Sequence, residues 1–349
     1  MGIRAEIYKP ESVLLAPLAG YTDLAFRRAC RQYGCYYAFT PLVEAGSIVH
    51  GWRRSQRNLI RGADEPWLGL QLLAADPERL SAAAERIRDL PFDVVDFNMG
   101  CPVRKVTRRG AGAAMCGSPD LAARCLGLLT EIVQSPVTAK IRVLKTDDAA
   151  STVALARKLY DAGVAALTIH GRTCEQVYSG AVAVNVIAAV REAVPIPVIA
   201  NGGVDGVASA NELRRATGCG RIMVARGAIG NPWIFRSLAV GRDLAPSQDE
   251  LIEVLEEHIA GIVALYGEDA GMRYGRKIIS SYLCGRGYPS SLRDRVTSLC
   301  TWQDFTELLQ EASQREATGA PNVGARPFRM ASSQTIAEIR VRELAGDGG

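Results

Sequence analysis

Cys101 stands in a tight turn after an apolar segment, since residues 96–106 read DFNMGCPVRKV. A free cysteine is usually an inert, small apolar residue, so the turn is what draws attention to this one. Asn98, three residues earlier, can bond a substrate carbonyl, and the Cys101 thiol can donate a proton. Arg104 and Lys105 follow closely and can tune the pKa of the thiol or bind phosphate. The spacing makes Cys101 a candidate general acid.

Lys140 and Arg142 lie in the apolar segment VTAKIRV, and only six of the 41 basic residues are lysine. Strand alternation puts both cations on one face. Two buried cations require an anion for compensation. A reduced flavin ring or a phosphate would serve, and the alternative is a carboxylate inside the fold.

Two further polar residues stand in or at the end of apolar segments. Gln71 in GLQLLA carries an amide that can donate to and accept from a uracil-like edge, including the pyrimidine edge of a flavin. The alternative for Gln71 is a hydrogen bond to a neighbouring strand. His170 ends LTIHGRT and is followed by Arg172. It is a candidate ligand contact, although a lone histidine is more often structural.

Two glycine-containing segments, ANGGV and MVARGAIG, end the last apolar runs. Glycine lets backbone N–H groups approach a phosphate, and the N-terminus of a following helix adds a positive dipole. Arg226 can add a charge-assisted contact. The segments predict a phosphate site, and the alternative is that these glycines only form turns.

The elements that position these residues are short apolar segments that alternate with helical patterns. Eight are predicted strands: SVLLAPLAG (12–20), YYAFTPLVEAG (36–46), WLGLQLLA (67–74), FDVVDFNMG (92–100), PVTAKIRV (136–143), AALTIHGR (165–172), IPVIANGG (196–203) and GRIMVARGAIG (220–230). Continuous apolar strands between helices indicate a parallel sheet covered on both faces. Eight such units predict an α/β fold, a (β/α)8 TIM barrel, whose reactive groups stand where strands end.

A smaller, all-helical C-terminal domain is predicted to follow the barrel. Residues 240–250, VGRDLAPSQDE, have the composition of a linker with a helix start, so we expect domains at 1–243 and 244–349. Helical pattern continues to about residue 315. We expect a loop at 316–328, a last helix at 332–344 and a frayed, flexible tail.

Composition limits the function classes. Hydrophobic content of 48% and charged content of 22% are ordinary for a globular protein. The nine cysteines are scattered without a CxxC pair, which argues against a disulfide scaffold and a metal site and favours the cytoplasm. We expect neither a signal segment nor a membrane span. No obligate protein partner is indicated.

Positive charge is unevenly distributed. Residues 1–245 hold 30 basic and 22 acidic side chains, whereas residues 246–349 hold 11 and 15. Within the acidic part, residues 272–295 carry six basic side chains against Asp294. Such a basic island can meet nucleic-acid phosphates, and the alternative is an ordinary solvated helix face.

Taken together, the motifs resemble those of the tRNA-dihydrouridine synthase family, over nearly the whole chain. The similarity rests on APLAGYTD (16–23), LQLLAADP (70–77), DFNMGCPVRKVTRRGAGAAM (96–115), AKIRV (139–143), IHGRT (169–173), IANGGV (199–204), VARGAIGNPWIF (224–235) and YGEDAGMRYGRK (266–277). The Asn-x-Gly-Cys-Pro turn, combined with Lys140, His170 and Asn201-Gly202, is the most specific part.

The resemblance implies an FMN at the barrel mouth and NADPH as the reductant. Residues implied to bind the cofactor are Ala16, Pro17, Leu18, Gln71, Lys140, His170, Asn201, Gly202, Gly203, Ala225 and Arg226. It implies hydride transfer from flavin N5 to uridine C6 and protonation of C5 by Cys101. Asn98, Arg142 and Arg172 are implied substrate contacts.

The implied substrate is tRNA, whose target base has to leave the stack to reach a barrel mouth. Expected tRNA contacts are Arg104, Lys105, Arg273, Arg276 and Lys277. Two other hypotheses stay open at this point. One is another FMN barrel that reduces a small molecule, such as an ene-reductase or a dihydroorotate-dehydrogenase-like enzyme. The other is a non-catalytic RNA-binding barrel.

Overall fold

The computed structural model describes residues 7–314, with the side chains of residues 52–55 left out. The loop predicted at 316–328, the helix predicted at 332–344 and the predicted tail lie outside the described residues.

Among residues 7–314, nine parallel strands build the sheet. They are β1 (Val13–Leu15), β2 (Tyr37–Phe39), β3 (Val43–Glu44), β4 (Leu68–Leu73), β5 (Val94–Met99), β6 (Val137–Arg142), β7 (Ala166–His170), β8 (Val198–Asn201) and β9 (Ile222–Val224). The order is β2-β1-β9-β8-β7-β6-β5-β4-β3, and β2 also pairs with β4. That last pairing closes an eight-stranded ring, so the predicted TIM barrel is confirmed.

The second predicted strand is divided into β2 and β3. Pro41 lies between them and has no N–H for the ladder, so the segment cannot run on as one strand. β3 continues along β4, where Val43 is in register with Leu72. The ring itself therefore keeps eight strands.

The described part of the chain also contains fourteen α-helices. They are α1 (Leu24–Arg31), α2 (Ala45–His50), α3 (Trp52–Leu59), α4 (Pro77–Ile87), α5 (Arg104–Thr107), α6 (Pro119–Ile132), α7 (Ala149–Asp161), α8 (Val184–Ala193), α9 (Val207–Thr217), α10 (Ile234–Val240), α11 (Gln248–Tyr266), α12 (Glu268–Leu283), α13 (Ser290–Arg295) and α14 (Trp302–Gln314). Short 3-10 helices lie at Gly112–Gly117, Arg226–Ala228 and Val296–Ser298.

The chain forms two compact units. Within the described residues, the first holds 7–23, Cys35–Arg61 and Pro66–Gly227, and it contains the nine strands. The second holds Leu24–Gly34, Gly62–Glu65 and residues 228–314. The functional division expected at residue 243 remains a prediction.

The barrel unit has an aromatic layer in its core. Tyr8, Tyr37, Phe39 and Trp67 are buried, and the Tyr37 and Trp67 ring centroids lie 5.2 Å apart in an edge-on arrangement. Aromatic pairs favour such edge-to-face geometry. Aromatic side chains therefore fill one layer of the barrel core.

The second unit is helical, as predicted for the C-terminal region. Ser247 starts α11 by accepting a hydrogen bond from the Glu250 amide at 3.1 Å, which satisfies one free N–H of the first turn. α11 packs against α12, with Gly271 of α12 lying so close that an added Cβ would come 2.9 Å from the Val263 Cα. The C-terminal helices therefore share a tight apolar seam.

His258 gives this unit a pH-dependent stability. The ring is buried, its Nδ1 lies 3.1 Å from the Tyr282 hydroxyl, and burial lowers its pKa to about 3. A histidine whose folded pKa lies below its unfolded value stabilises the fold above about pH 6.5, and this contribution is lost as the pH falls.

Between pH 6.5 and 5 we expect the histidine to cost about 2 kcal/mol of unfolding free energy. Urea unfolding of wild type and His258→Gln at both pH values tests this, because the variant should lack that share of the loss; equal losses in both proteins would contradict it.

Candidate active site

The strand register brings the predicted polar residues to one end of the barrel. Asn98 of β5 is opposite Lys140 of β6, Arg142 is opposite His170 of β7, and His170 is opposite Asn201 of β8. All five stand in the last three residues of parallel strands, so they meet at the same edge. Four of them are buried and Lys140 is half-buried.

The Cys101 turn is held by side-chain and backbone bonds. The Asn98 Oδ1 accepts from the Gly100 and Cys101 amides at 3.1 and 3.0 Å, and the Cys101 carbonyl accepts from the Ala113 amide at 3.0 Å. Gly112 backs the turn with a φ of 61°, and a Cβ there would come 2.7 Å from the Cys101 carbonyl. Cys101 is thus a half-buried thiol on a fixed turn.

Both ends of the Gln71 amide are hydrogen-bonded to side chains inside the barrel. Its Nε2 donates to Asp96 at 2.8 Å, and its Oε1 accepts from the Asn98 Nδ2 at 2.7 Å. Sequence reasoning missed Asp96 and its other partner, Thr138, whose hydroxyl donates to the carboxylate at 2.7 Å. The alternation in DFN was the available signal, because Asp96 and Asn98 share a strand face.

Lys140 donates to Asn201 Oδ1 at 2.9 Å, and the Asn201 Nδ2 donates to the Met223 carbonyl at 2.8 Å. The Met223 carbonyl thus orients the Asn201 amide, which in turn holds the ammonium. Burial lowers the pKa of Lys140 to about 8, with a contribution from Arg142 and an opposing one from Asp96. The side chain remains mostly cationic at neutral pH.

Arg142 binds several backbone carbonyls of the barrel unit. Its Nε donates to Gly100 O at 2.6 Å, and its Nη1 lies within 3.2 Å of three carbonyls in the loop after β7, those of Arg172, Thr173 and Val177. Burial lowers its pKa, opposed chiefly by Tyr178. The guanidinium therefore ties that loop to the Cys101 turn.

Replacing Arg142 with lysine should release the loop. A lysine ammonium is a compact donor without the guanidinium's fork, so it cannot reach both groups of carbonyls. Hydrogen exchange of residues 172–181 should accelerate roughly tenfold. Arg214→Lys is the matched control, since Arg214 also donates to two carbonyls, those of Gly220 and Glu11. Unchanged exchange in Arg142→Lys would contradict the tie.

His170, Gly202, Gly203 and Arg172 form a cradle at the ends of β7 and β8. Gly202 and Gly203 have φ values of 130° and 74°, which favour glycine. A Cβ on Gly202 would come 3.2 Å from the His170 ring, and one on Gly203 would come 3.9 Å from an Arg172 nitrogen. The Arg172 Nη1 is buried and has no hydrogen-bond partner. The Arg172 guanidinium therefore lies beside the cradle and keeps one nitrogen without a hydrogen-bond partner.

Positive charge dominates this end of the barrel. Burial lowers the pKa of His170 to about 2, and the charges of Lys140, Arg142, Arg172 and Arg226 lower it too. The imidazole is therefore neutral, and four cations surround it. The Arg226 guanidinium lies 4.7 Å from the Tyr178 ring centroid. Such a concentration of positive charge favours an anionic ligand.

The residues predicted to meet tRNA occur in both units. Arg104 and Lys105 are exposed on α5, directly after the Cys101 turn. In the second unit, Arg273 pairs with Asp269, Arg276 donates to the Leu299 carbonyl at 2.7 and 2.9 Å, and Lys277 lies 4.0 Å from the Tyr274 ring centroid. Arg276 thus has a structural contact besides any role at a surface.

The described residues contain neither a membrane-spanning helix nor a metal-binding cluster. Over residues 7–314, no helix has the length and apolarity needed to cross a membrane. In the same range, no group of three or more histidine, cysteine, aspartate or glutamate side chains is arranged to hold a metal ion.

Comparisons with known proteins agree with the geometry. The family model Dihydrouridine synthase (Dus) matches residues 14–318. The chain is 38% identical to tRNA-dihydrouridine synthase B of Pseudomonas aeruginosa, over 78% of this chain and 84% of that protein. It is 36% identical to tRNA-dihydrouridine synthase B of Shewanella oneidensis, over 78% and 86%.

Among solved structures, histamine dehydrogenase from Rhizobium sp. 4-9 is similar with a TM-score of 0.51 and 12% identity. The similarity covers 74% of this chain and 50% of that chain, and it supports the barrel fold alone. The family model covers most of the chain, and the two enzymes are well over 30% identical over 78% of it, so these matches identify the family as well as the fold. The chain belongs to the dihydrouridine synthase family.

Proposed function

We propose that this protein reduces the C5–C6 bond of a uridine in tRNA, as an oxidoreductase acting on a CH–CH group. Family membership and its similarity to two tRNA-dihydrouridine synthases B support the reaction. The single observation that carries the chemistry is the position of Cys101, a half-buried thiol beside a cationic barrel mouth. Its turn is fixed by a 3.0 Å hydrogen bond from the Cys101 amide to Asn98 Oδ1.

The cofactor we propose is FMN, with NADPH as the reductant. The four cations around His170, the glycine cradle and the unpartnered Arg172 Nη1 fit a phosphate group. When bound, FMN supplies the hydride for the uridine. Residues proposed to hold it are Ala16, Pro17 and Leu18 beside the ring, Gln71 and Lys140 at its polar edge, and His170, Asn201, Gly202, Gly203, Ala225 and Arg226 toward the phosphate.

Arg172 is assigned to the phosphate in place of the substrate contact expected from the sequence. Its guanidinium lies at Gly203, and its Nε donates to the Gly180 carbonyl at 2.8 Å. This arrangement leaves the buried Nη1 as a donor in the cradle. The substrate contacts are then Asn98 and Arg142, next to the Cys101 turn.

Cys101 is the proposed proton donor to uridine C5. Asn98 and Arg142 orient the base, and both are already anchored to the backbone of the Cys101 turn, through the Gly100 amide and the Gly100 carbonyl. Base contacts and acid therefore share one rigid support, which keeps the proton close to the reacting carbon.

The tRNA is proposed to bind through phosphate contacts with the target base flipped out. Arg104 and Lys105 are exposed beside the Cys101 turn, and Arg273, Arg276 and Lys277 lie on α12. Binding through such contacts weakens steeply with salt. We place the protein in the cytoplasm, because the nine cysteines, all within the described residues, form no disulfide with one another, which suits a reducing compartment.

The test is purified protein incubated with unmodified tRNA and NADPH, followed by mass analysis of the nucleosides. A yellow protein that converts uridine to a product two hydrogens heavier is the expected result. A yellow protein that leaves every uridine unchanged would reject the tRNA substrate, and a colourless one that cannot be reconstituted with FMN would reject the flavin reaction.

A further inference from the structure

A directional chain of hydrogen bonds runs from the Cys101 turn into the barrel. The Gly100 and Cys101 amides donate to Asn98 Oδ1 at 3.1 and 3.0 Å. The Asn98 Nδ2 donates to Gln71 Oε1 at 2.7 Å, and the Gln71 Nε2 donates to Asp96 Oδ2 at 2.8 Å. We call this chain the amide relay. Every bond in it points the same way, toward the carboxylate.

Both ends of the amide relay fix its direction independently. A carboxylate only accepts hydrogen bonds, so Gln71 must turn its NH2 group toward Asp96. Backbone amides only donate, so Asn98 must turn its oxygen toward Gly100 and Cys101. The middle bond, from Asn98 to Gln71, satisfies both requirements without a conflict. Reversing either amide would place two donors or two acceptors face to face.

Asp96 is built into the barrel as an anchor. Its residue is 2% exposed, and the Thr138 hydroxyl donates to its second oxygen at 2.7 Å. The other titratable groups facing it are Lys140 and Tyr8, whose own pKa values respond to its charge. Thr138 thus fixes one oxygen of the carboxylate, and the other oxygen accepts the hydrogen bond from Gln71.

We propose that Asp96 is a positioning residue that sets the orientation of Gln71 and Asn98 and, through them, the turn carrying Cys101. This rests on the proposed role of Cys101 as the acid. Asp96 itself touches neither substrate nor cofactor in this scheme. Its influence is transmitted through two amides whose orientation depends on the carboxylate.

The amide relay also decides what Asn98 offers to a base. Its Oδ1 already accepts two hydrogen bonds, which uses both lone pairs, and one N–H is taken by Gln71. Only the second N–H of Asn98 remains. Asn98 therefore selects a carbonyl oxygen on the base and cannot accept from an amino or imino group.

Two substitutions separate positioning from plain core stability. Asp96→Ala removes the anchor of the relay, whereas Thr138→Val removes the hydroxyl that bonds Asp96 and Tyr8 and leaves the relay intact. Asp96→Asn is the conservative variant, because its Oδ1 can still accept from Gln71 while its NH2 donates to Thr138.

The first readout is the alkylation rate of Cys101 by iodoacetamide, followed by peptide mass analysis, with exposed Cys300 as the internal reference. Asp96→Ala should raise the Cys101 rate about fivefold, the factor of one lost hydrogen bond, without changing Cys300. Thr138→Val and Asp96→Asn should match wild type. Equal effects of Asp96→Ala and Thr138→Val, or none from either, would overturn the proposal. Because no tRNA takes part, this outcome is independent of whether the protein modifies tRNA.

A second readout uses turnover and keeps the test decisive. Asp96→Ala should lower kcat roughly 100-fold, as expected for a misplaced acid, with the KM for tRNA nearly unchanged. Should Asp96→Ala not fold, Gln71→Met interrupts the relay and keeps the carboxylate. Exchange of the Gly100 and Cys101 amides should be slow in wild type and faster in Gln71→Met; fast exchange in wild type, or slow exchange in both, would contradict the relay.

Discussion

Cys101→Ala should lower dihydrouridine formation by about 10²–10⁴-fold, the usual contribution of a positioned general acid. FMN binding should be preserved, because the thiol belongs to the substrate side of the site and none of the cofactor contacts proposed above involves it. The measurement is single-turnover reduction of tRNA uridine, with the flavin absorbance recorded on the same samples. Reduction of the bound flavin by NADPH should remain at the wild-type rate, so that the defect falls on the uridine step alone.

Cys174→Ala is the matched control for this prediction. Cys174 is a second half-buried thiol, in the loop after β7 that Arg142 holds through the neighbouring Thr173 carbonyl. Its activity should stay within about threefold of wild type, since neither its backbone bonds nor a proposed contact depends on the thiol. A large loss in Cys174→Ala together with an active Cys101→Ala would move the acid to the other thiol.

The barrel fold, and the end of the barrel at which the polar residues lie, could be predicted from the sequence. Continuous apolar runs between helices fix parallel strands, and parallel strands end at a common edge, so Asn98, Lys140 and His170 could be placed together without coordinates. The strand register confirms that placement. Only local periodicity and topology were needed, which is why this part of the prediction succeeded.

The hydrogen-bond partners of the site residues could not be predicted from the sequence. Arg142 binds carbonyls of the loop after β7, and Arg172 turns to Gly203, because of how a loop of irregular conformation folds back. Hydrogen bonds to backbone carbonyls carry no side-chain pattern in the sequence. The direction of the amide relay depends likewise on three residues from two strands. Alternation could identify Asp96 as inward-facing but not the group it would hold.

The second unit contains a buried ion pair that sequence motifs did not indicate. Glu65 accepts from Arg27 through two parallel bonds of 2.8 and 2.7 Å, and from Arg31 and the Gly62 amide at about 3 Å. The Glu65 side chain is fully buried, and that of Arg27 is 1% exposed. Burial alone would raise the pKa of Glu65, but the hydrogen bond and charge of Arg27, with Arg31 and Gly62, bring it below its ordinary value.

Glu65→Ala should destabilise the protein by about 3–5 kcal/mol, because it leaves the Arg27 guanidinium buried without its counter-charge. Urea unfolding at pH 7 measures the loss. Asp269→Ala is the control: its pair with Arg273 lies on an exposed helix face, so its removal should cost no more than about 1 kcal/mol.

The stabilisation by Glu65 should depend on pH. A carboxylate whose pKa is lower in the folded protein stabilises the fold at pH values above its unfolded pKa of 4.5, and this stabilisation is lost as the pH falls below that value. The gap between wild type and Glu65→Ala should therefore narrow in acid, and a gap that is small at pH 7 or independent of pH would show that the arginines find other partners when Glu65 is gone.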